Sequence, residues 1–222
     1  LRRTKAEVLE ELPEKTEITL RVTLSDDERA LYETLRKRAA DGLEAGAITS
    51  FEALAELTKL RRAVCHPKLV DESLTFASSK SEAFLDLVSD LMSGGHRTLV
   101  FSQFTSHLAL IRKELEERGI DYLYLDGATP AKERKALVEA FQTGTAPLFL
   151  ISLKAGGTGL NLTAADYVVH LDPWWNPAVE DQASDRAYRI GQKNPVTIYR
   201  LIAEDTIEER ILTLHETKKS LA

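Results

Sequence analysis

The sequence predicts an α/β fold, a parallel sheet with helices on both faces, preceded by a small helical insertion. From Ser78 onward, short apolar runs alternate with segments of helical period. The runs Thr98–Phe101, Pro147–Ile151 and Tyr167–Leu171 are largely apolar throughout, as strands buried on both faces are. Connections between them are short and punctuated by glycine, at Gly94-Gly95, Gly119 and Gly127.

Residues 1–13 read as a short helix or linker, rich in charge and closed by Leu12-Pro13. Ile18, Leu20, Val22 and Leu24 alternate with polar residues, which marks a half-buried strand. Ser25 with Glu28 forms a capping box that opens a helix to about Ala40, broken by Gly42 and Gly46. Ser50 is the expected cap of a second helix, Phe51 to Val64, stopped by Cys65-His66-Pro67. Ser81 is the expected start of a helix over 82–92. After it come strand 98–101, helix 107–118, strand 121–125, helix 130–141 and strands 147–151, 167–171 and 196–202. A charged final helix, 206–219, carries Ile207, Ile211 and Leu214 as its apolar stripe.

Between the last two strands lies Gln182 to Gln192. At helical period Gln182, Arg186 and Arg189 share one face, and Val179, Ala183, Ala187 and Ile190 form an adjoining apolar stripe that Gly191 ends. Two aligned guanidiniums suit a phosphate chain, each being a planar, permanently charged fork of donors. The remaining chemistry follows strands, where open α/β sheets bind ligands. It comprises Ser102-Gln103, Asp126-Gly127, Asp172 to Pro177, and the glycine-rich stretch Ser152 to Leu162. Gly156, Gly157 and Gly159 permit close backbone approach and an anion-binding nest, to which Lys154 and Thr158 add a charge and a hydroxyl.

The exclusions are informative too. No G-x-x-x-x-G-K-S/T occurs, so the chain has no phosphate-binding P-loop of its own, and Asp71-Glu72 does not end an apolar strand where it would position Mg²⁺. A dinucleotide site is disfavoured because Leu162 stands where a third glycine belongs after Gly157 and Gly159. One cysteine, Cys65, excludes an internal disulfide, and with five scattered histidines it offers no metal-ligand spacing. No apolar run reaches the ~20 residues of a membrane span. A net charge of -6 argues weakly against nucleic acid, so any basic track has to be argued from particular residues.

Leu99 to Phe104, Leu153 to Thr163, Asp172 to Pro177 and Gln182 to Gln192 resemble four successive motifs of the second RecA-like lobe of superfamily 2 helicases, in the wording of the Swi/Snf family of DNA-translocating ATPases. Leu1 to Lys5 with Leu12-Pro13 resembles the inter-lobe linker. Leu60-Arg61-Arg62 with Cys65-His66-Pro67 resembles the helical insertion, and Asp205 to Ile211 the brace helix. The resemblance implies an inter-lobe linker and first strand over 1–24, an insertion over 25–77, the C-terminal RecA-like lobe over 78–203 and a brace helix over 204–222. That helix is expected to sit loosely here, with its partner surface on the other lobe.

By this resemblance Arg186 and Arg189 are arginine fingers for the γ-phosphate of ATP, which with Mg²⁺ is held mainly by an N-terminal lobe, and Gln182 seats them. Gly157 and Gly159 lie near the nucleotide. Ser102, Gln103, Lys154 and Thr158 contact the phosphate backbone of double-stranded DNA without sequence preference. Trp174 or Trp175 either touches DNA or packs its loop, and Arg134 is either a further contact or a surface arginine. Tyr188, where many members carry His, is expected off the phosphate-facing side. The implied activity is ATP-dependent double-stranded DNA translocation of the chromatin-remodelling type, silent without the N-terminal lobe. The implied setting is a bacterial cytoplasm and nucleoid, or a eukaryotic nucleus. The competing reading is a non-catalytic interaction or regulatory module on the same fold, against which the intact Arg186 and Arg189 pair speaks.

Overall fold

The computed structural model describes residues 12–46, 49–156 and 159–220. Its centre is a six-stranded sheet in the order β1-β6-β5-β2-β4-β3, every pairing parallel. The strands are β1 (Lys15–Val22), β2 (Thr98–Ser102), β3 (Tyr122–Leu125), β4 (Leu148–Ser152), β5 (Tyr167–His170) and β6 (Val196–Ala203). The helices are α1 (Asp26–Glu44), α2 (Ser50–Cys65), α3 (Ser79–Ser93), α4 (Thr105–Glu117), α5 (Ala131–Thr143), the single turn α6 (Leu153–Gly156), α7 (Pro177–Ser184) and α8 (Ile207–Ser220).

Each strand of the sheet centre shows its side chains alternately to two cores. On one face Leu99, Phe101, Phe149, Ile151, Val168 and Ile198 meet Phe141 of α5 and Ala183 of α7. On the other Val100, Leu148, Leu150, Val169 and Leu201 meet α3 and α4 through Phe84, Val88, Leu108 and Ile111. All five residues of β2 and of β4 are buried, which is why these strands carry no polar alternation. A third cluster joins the insertion to the sheet: Tyr32 and Leu35 of α1 with Leu60 and Val64 of α2 pack on Ala203 and Ile207.

Caps set the helix starts, with three departures from the sequence reading. The Ser25–Glu28 capping box is present, but the helix runs through Gly42 to Glu44. One interior glycine costs about 1 kcal/mol, and α1 is held by packing of Tyr32 and Leu35 against Leu60 and Val64 of α2. The second helix is capped by Thr49 with Glu52, not by Ser50. In α3 the cap is Ser78, whose hydroxyl accepts from the Ser81 amide, so Ser81 lies inside the first turn. Glu28 does double duty: its Oε1 also accepts the Ser79 amide at 2.9 Å, joining the starts of α1 and α3. The expected helix over 1–13 falls, apart from its last two residues, outside the described residues.

The last helix also departs from expectation. Rather than sitting loosely, α8 is tied to this lobe from Ile207 to His215. Tyr32 Oη accepts the Ile207 amide at 2.8 Å, Ile211 is fully buried, and His215 Nε2 bonds to the Trp174 carbonyl. Glu208 pairs with Lys80 of α3 at 2.6 Å, both side chains 1% exposed, and Lys80 Nζ donates again to the Leu171 carbonyl at 2.6 Å. The helix meets a surface that its own chain supplies, through α1, α3 and the loop after β5.

Candidate functional site

Three segments leave the carboxyl ends of β2, β4 and β5, at 102–104, 153–156 and 171–176, and a fourth, 185–192, follows α7 and is bonded to Leu160, Leu162, Thr163 and Ala165 on the way into β5. Parallel pairing puts Ser102 directly beside Ser152, and Phe101 beside His170, so the segments leave one edge of the sheet. The crossover from β4 to β5 passes over β2, making this edge the place where open α/β sheets bind ligands.

Asp172 ties the first segment to the third. Its carboxylate accepts a short hydrogen bond from Ser102 Oγ and one of 3.3 Å from the Gln103 amide, and Ser102 Oγ accepts the Phe104 amide at 3.1 Å. Ser102 is 1% exposed, so its hydroxyl is committed to this tie, while Gln103 is half-buried and Lys154 exposed. The third segment is held at several backbone groups. Trp174 donates its amide to Glu180 at 2.8 Å, and Asn176 caps α7 through the Ala178 amide. Glu180 is itself fully buried and bonded to Arg200 at 2.8 Å, so the carboxylate is paired as burial requires. Trp174 is partly buried against the sheet core, and Trp175 packs on the insertion cluster.

The arginine segment corrects the sequence reading. Gln182 lies exposed on α7, but the helix stops at Ser184, and Arg186 and Arg189 stand in successive turns after it. The carbonyls that a continued helix would use are taken from elsewhere. The Arg186 carbonyl accepts the Leu162 amide at 3.0 Å, and the Ala187 carbonyl accepts Gln192 Nε2 at 3.0 Å. Ala183 and Ala187 are buried as expected, whereas Ile190 is 70% exposed and leaves the stripe. Gly191 turns the chain with φ +98, and Gln192 staples the segment down by donating also to Thr163 and Ala165. Tyr188 packs on the sheet core with Lys15 over its ring.

Arg186 is 8% exposed, and its buried Nε has no partner among the described residues. Burial, and then the neighbouring charge of Arg189, pull its pKa below the ordinary arginine value. Arg189 donates Nη1 to the Leu160 carbonyl at 3.3 Å. Two adjacent cations with a buried unpartnered donor fit an anion, and a phosphate chain supplies both the charge and the acceptors. Gly157 and Thr158 lie outside the described residues. Gly159 is described and takes the left-handed backbone its side-chain-free Cα permits, φ +68, at the rim of an open groove with Leu160, Asn161, Thr129 and Arg134. The Arg134 guanidinium folds back on its own turn, donating to the carbonyls of Thr129, Asp126 and Gly127.

The fold brings together Cys65, His107 and Asp172, each buried, with donor atoms within 4.8 Å of one another. Sequence spacing does not reveal this group, because its members come from three separate elements. Lys80 lies near enough for its charge to act on both Cys65 and Asp172. Burial pushes the Cys65 thiol well up and the His107 ring down. His170, bonded to Ser184 at 2.9 Å, is likewise held below its ordinary value, by burial foremost. Both rings are therefore neutral when folded and bind protons more readily when unfolded. Their contribution to stability is complete above the unfolded value of about 6.5 and is lost as pH falls below it, by up to about 1.4 kcal/mol per pH unit per histidine. Melting temperature followed from pH 7.5 down to 5 should fall, and His107→Met should flatten the fall. An unaltered slope in that variant would exclude His107 as a contributor.

The helicase conserved C-terminal domain model matches residues 79–191, half of the chain, and the SNF2-related domain model matches 1–69. The chain belongs to the SNF2 family, as the C-terminal helicase lobe. It is 41% identical, over its whole length, to the putative ATP-dependent helicase/translocase YwqA of Bacillus subtilis, of which it covers 25%. It is 38% identical, again over its whole length, to the human SWI/SNF-related matrix-associated actin-dependent regulator of chromatin subfamily A member 1, covering 22%. Among solved structures it matches the Sulfolobus solfataricus SWI2/SNF2 ATPase core in complex with dsDNA at TM-score 0.81 and 31% identity, over all of this chain and 48% of that one. The chain thus spans about a quarter of the length of these curated relatives. No described helix is long and apolar enough to cross a membrane.

Within this SNF2 lobe the sequence patterns point to the arginine segment and the strand-end loops but not to the residues that hold them. Asp172, Glu180 and Gln192 carry the site's internal bonds. The first and last stand inside quoted motifs, where a polar residue beside an apolar strand end is the available signal.

Proposed function

We propose that the chain is the C-terminal motor lobe of an ATP-dependent double-stranded DNA translocase. Arg186 and Arg189 complete a hydrolytic site whose nucleotide and Mg²⁺ are held mainly by an N-terminal lobe. The observation that carries this is the buried Nε of Arg186, without a partner among the described residues, beside the second cation, Arg189. Charge developing on a transferring phosphoryl group is met by such donors, and Gln182 on α7 adds an exposed amide nearby in sequence. Gly157 and Gly159 border the nucleotide in this reading.

Gln103, Lys154 and Thr158 meet the phosphates of one DNA strand, and the crystallisation of the Sulfolobus relative with dsDNA supports a duplex partner. Ser102 and Trp174 serve the same surface chiefly by shaping it, through the Asp172 tie and the packed loop. Arg134 shapes the 126–129 turn through its bonds to three carbonyls. Contacts of this kind read backbone charge and shape, not base sequence.

The test is ATP turnover by the full-length protein with and without duplex DNA, together with duplex binding by fluorescence anisotropy over a salt series. Duplex should stimulate turnover. Lys154→Ala should weaken binding equally for unrelated sequences and reduce the slope of log affinity against log salt by about 1. Turnover indifferent to DNA, or binding that follows base sequence, would sink the reading.

A further inference from the structure

We propose that Arg61, on insertion helix α2, is a positioning residue that fixes the duplex-contacting loop 102–104 against the loop 172–176, which shapes the same surface. The inference rests on the translocase reading and deepens it by giving the insertion a part in holding DNA. The Arg61 guanidinium carbon lies 5.3 Å from the ring centroids of Phe104, Trp174 and Trp175 alike. Its Nη2 donates to the Pro173 carbonyl at 2.8 Å, and the residue is 3% exposed. Among the described residues its charge is met by ring faces and this carbonyl, with no carboxylate in ion-pair contact. A planar cation can stack on several rings at once, which an ammonium cannot.

The arrangement has a mechanical logic. Asp172 joins the two loops on the lobe side, through Ser102 and the Gln103 amide. A single carboxylate would let the loops hinge about it. Arg61 joins the same loops from the insertion side, on Phe104 of one and Pro173 to Trp175 of the other. Two separated ties fix angle as well as distance. Arg62, the next residue, lies over the Phe104 ring at 5.7 Å but touches no ring of the second loop, so it does not share the role.

Loosening this clamp leaves the arginine segment 185–192 in place, so it should weaken the grip on DNA without slowing hydrolysis once DNA is bound. The experiment uses the full-length protein with Arg61→Lys and Arg61→Met. ATP turnover is measured without DNA and across a duplex titration, with thermal melting alongside. The DNA concentration for half-maximal stimulation should rise about tenfold in both variants, since small misplacements of contact groups cost up to 10²-fold. Turnover at saturating DNA and without DNA should hold. Arg61→Lys keeps the charge, so the same rise there assigns the effect to the planar clamp. If neither arginine variant yields folded protein, Phe104→Leu removes one ring of the clamp and should show the same rise. Half-stimulation within about twofold of wild type in a folded variant, or a change confined to turnover at saturation, overturns the proposal. A wild type that DNA does not stimulate would overturn the translocase reading itself, which the wild-type arm alone reveals.

Discussion

In the full-length protein, Arg186→Ala and Arg189→Ala should each lower DNA-stimulated ATP turnover by about 10²–10³-fold, with nucleotide binding retained. The size follows from what the arginines meet. Among the described residues the buried Nε of Arg186 has no partner, and Arg189 is a like charge beside it, so the pair is held at a cost to the folded state. Such a cost is returned only when negative charge arrives, and most when charge builds in the transition state. Arg186→Lys should fail almost as badly, because a point charge cannot replace the planar fork. Melting provides an independent check. Arg186→Ala removes a buried unsatisfied donor and a repulsive neighbour, so the variant should melt no lower than wild type. Turnover unchanged in both alanine variants would leave the segment a structural turn and remove this lobe from the hydrolytic site.

The largest effect on stability is expected from Glu208→Ala. Lys80 and Glu208 are 1% exposed, and their 2.6 Å contact joins α3 to α8. With the carboxylate gone, the ammonium keeps only the Leu171 carbonyl, and the Ala203 amide loses its acceptor. Breaking one side of a buried pair costs about 3–5 kcal/mol, or roughly 6–20 °C of melting temperature for a chain of this size. Replacing both partners, as Lys80→Met with Glu208→Leu, should cost less than about 2 kcal/mol because no buried charge is stranded. Urea denaturation of the two variants decides the matter: a single variant as stable as the double would mean that water reaches the ammonium.

The strands were legible because buried parallel strands write themselves as short apolar runs between glycines, as at Thr98 to Phe101. The capping box at Ser25 was legible because its two partners lie three residues apart. What escaped was long-range. Val179, Ala183, Ala187 and Ile190 keep perfect helical spacing, yet α7 ends at Ser184, and the carbonyls of Arg186 and Ala187 go to the Leu162 amide and the Gln192 side chain. Periodicity cannot register a competitor that arrives from another part of the chain. The same applies to α8, whose partners Tyr32 and Lys80 lie well over a hundred residues upstream. It applies to Arg61 as well, whose aromatic surroundings exist only once the insertion has folded back on the lobe.

The strand β1 lies at the sheet edge and pairs with β6 in parallel over eight residues, Lys15 to Val22 against Val196 to Ala203. A pull along β1 from its first residue is borne in shear. All the ladder hydrogen bonds are loaded together, and none can open ahead of the rest as in a zipper. Tension applied at Lys15 is therefore held as a splice holds a rope, along the whole of β1, and is passed to β6 residue by residue.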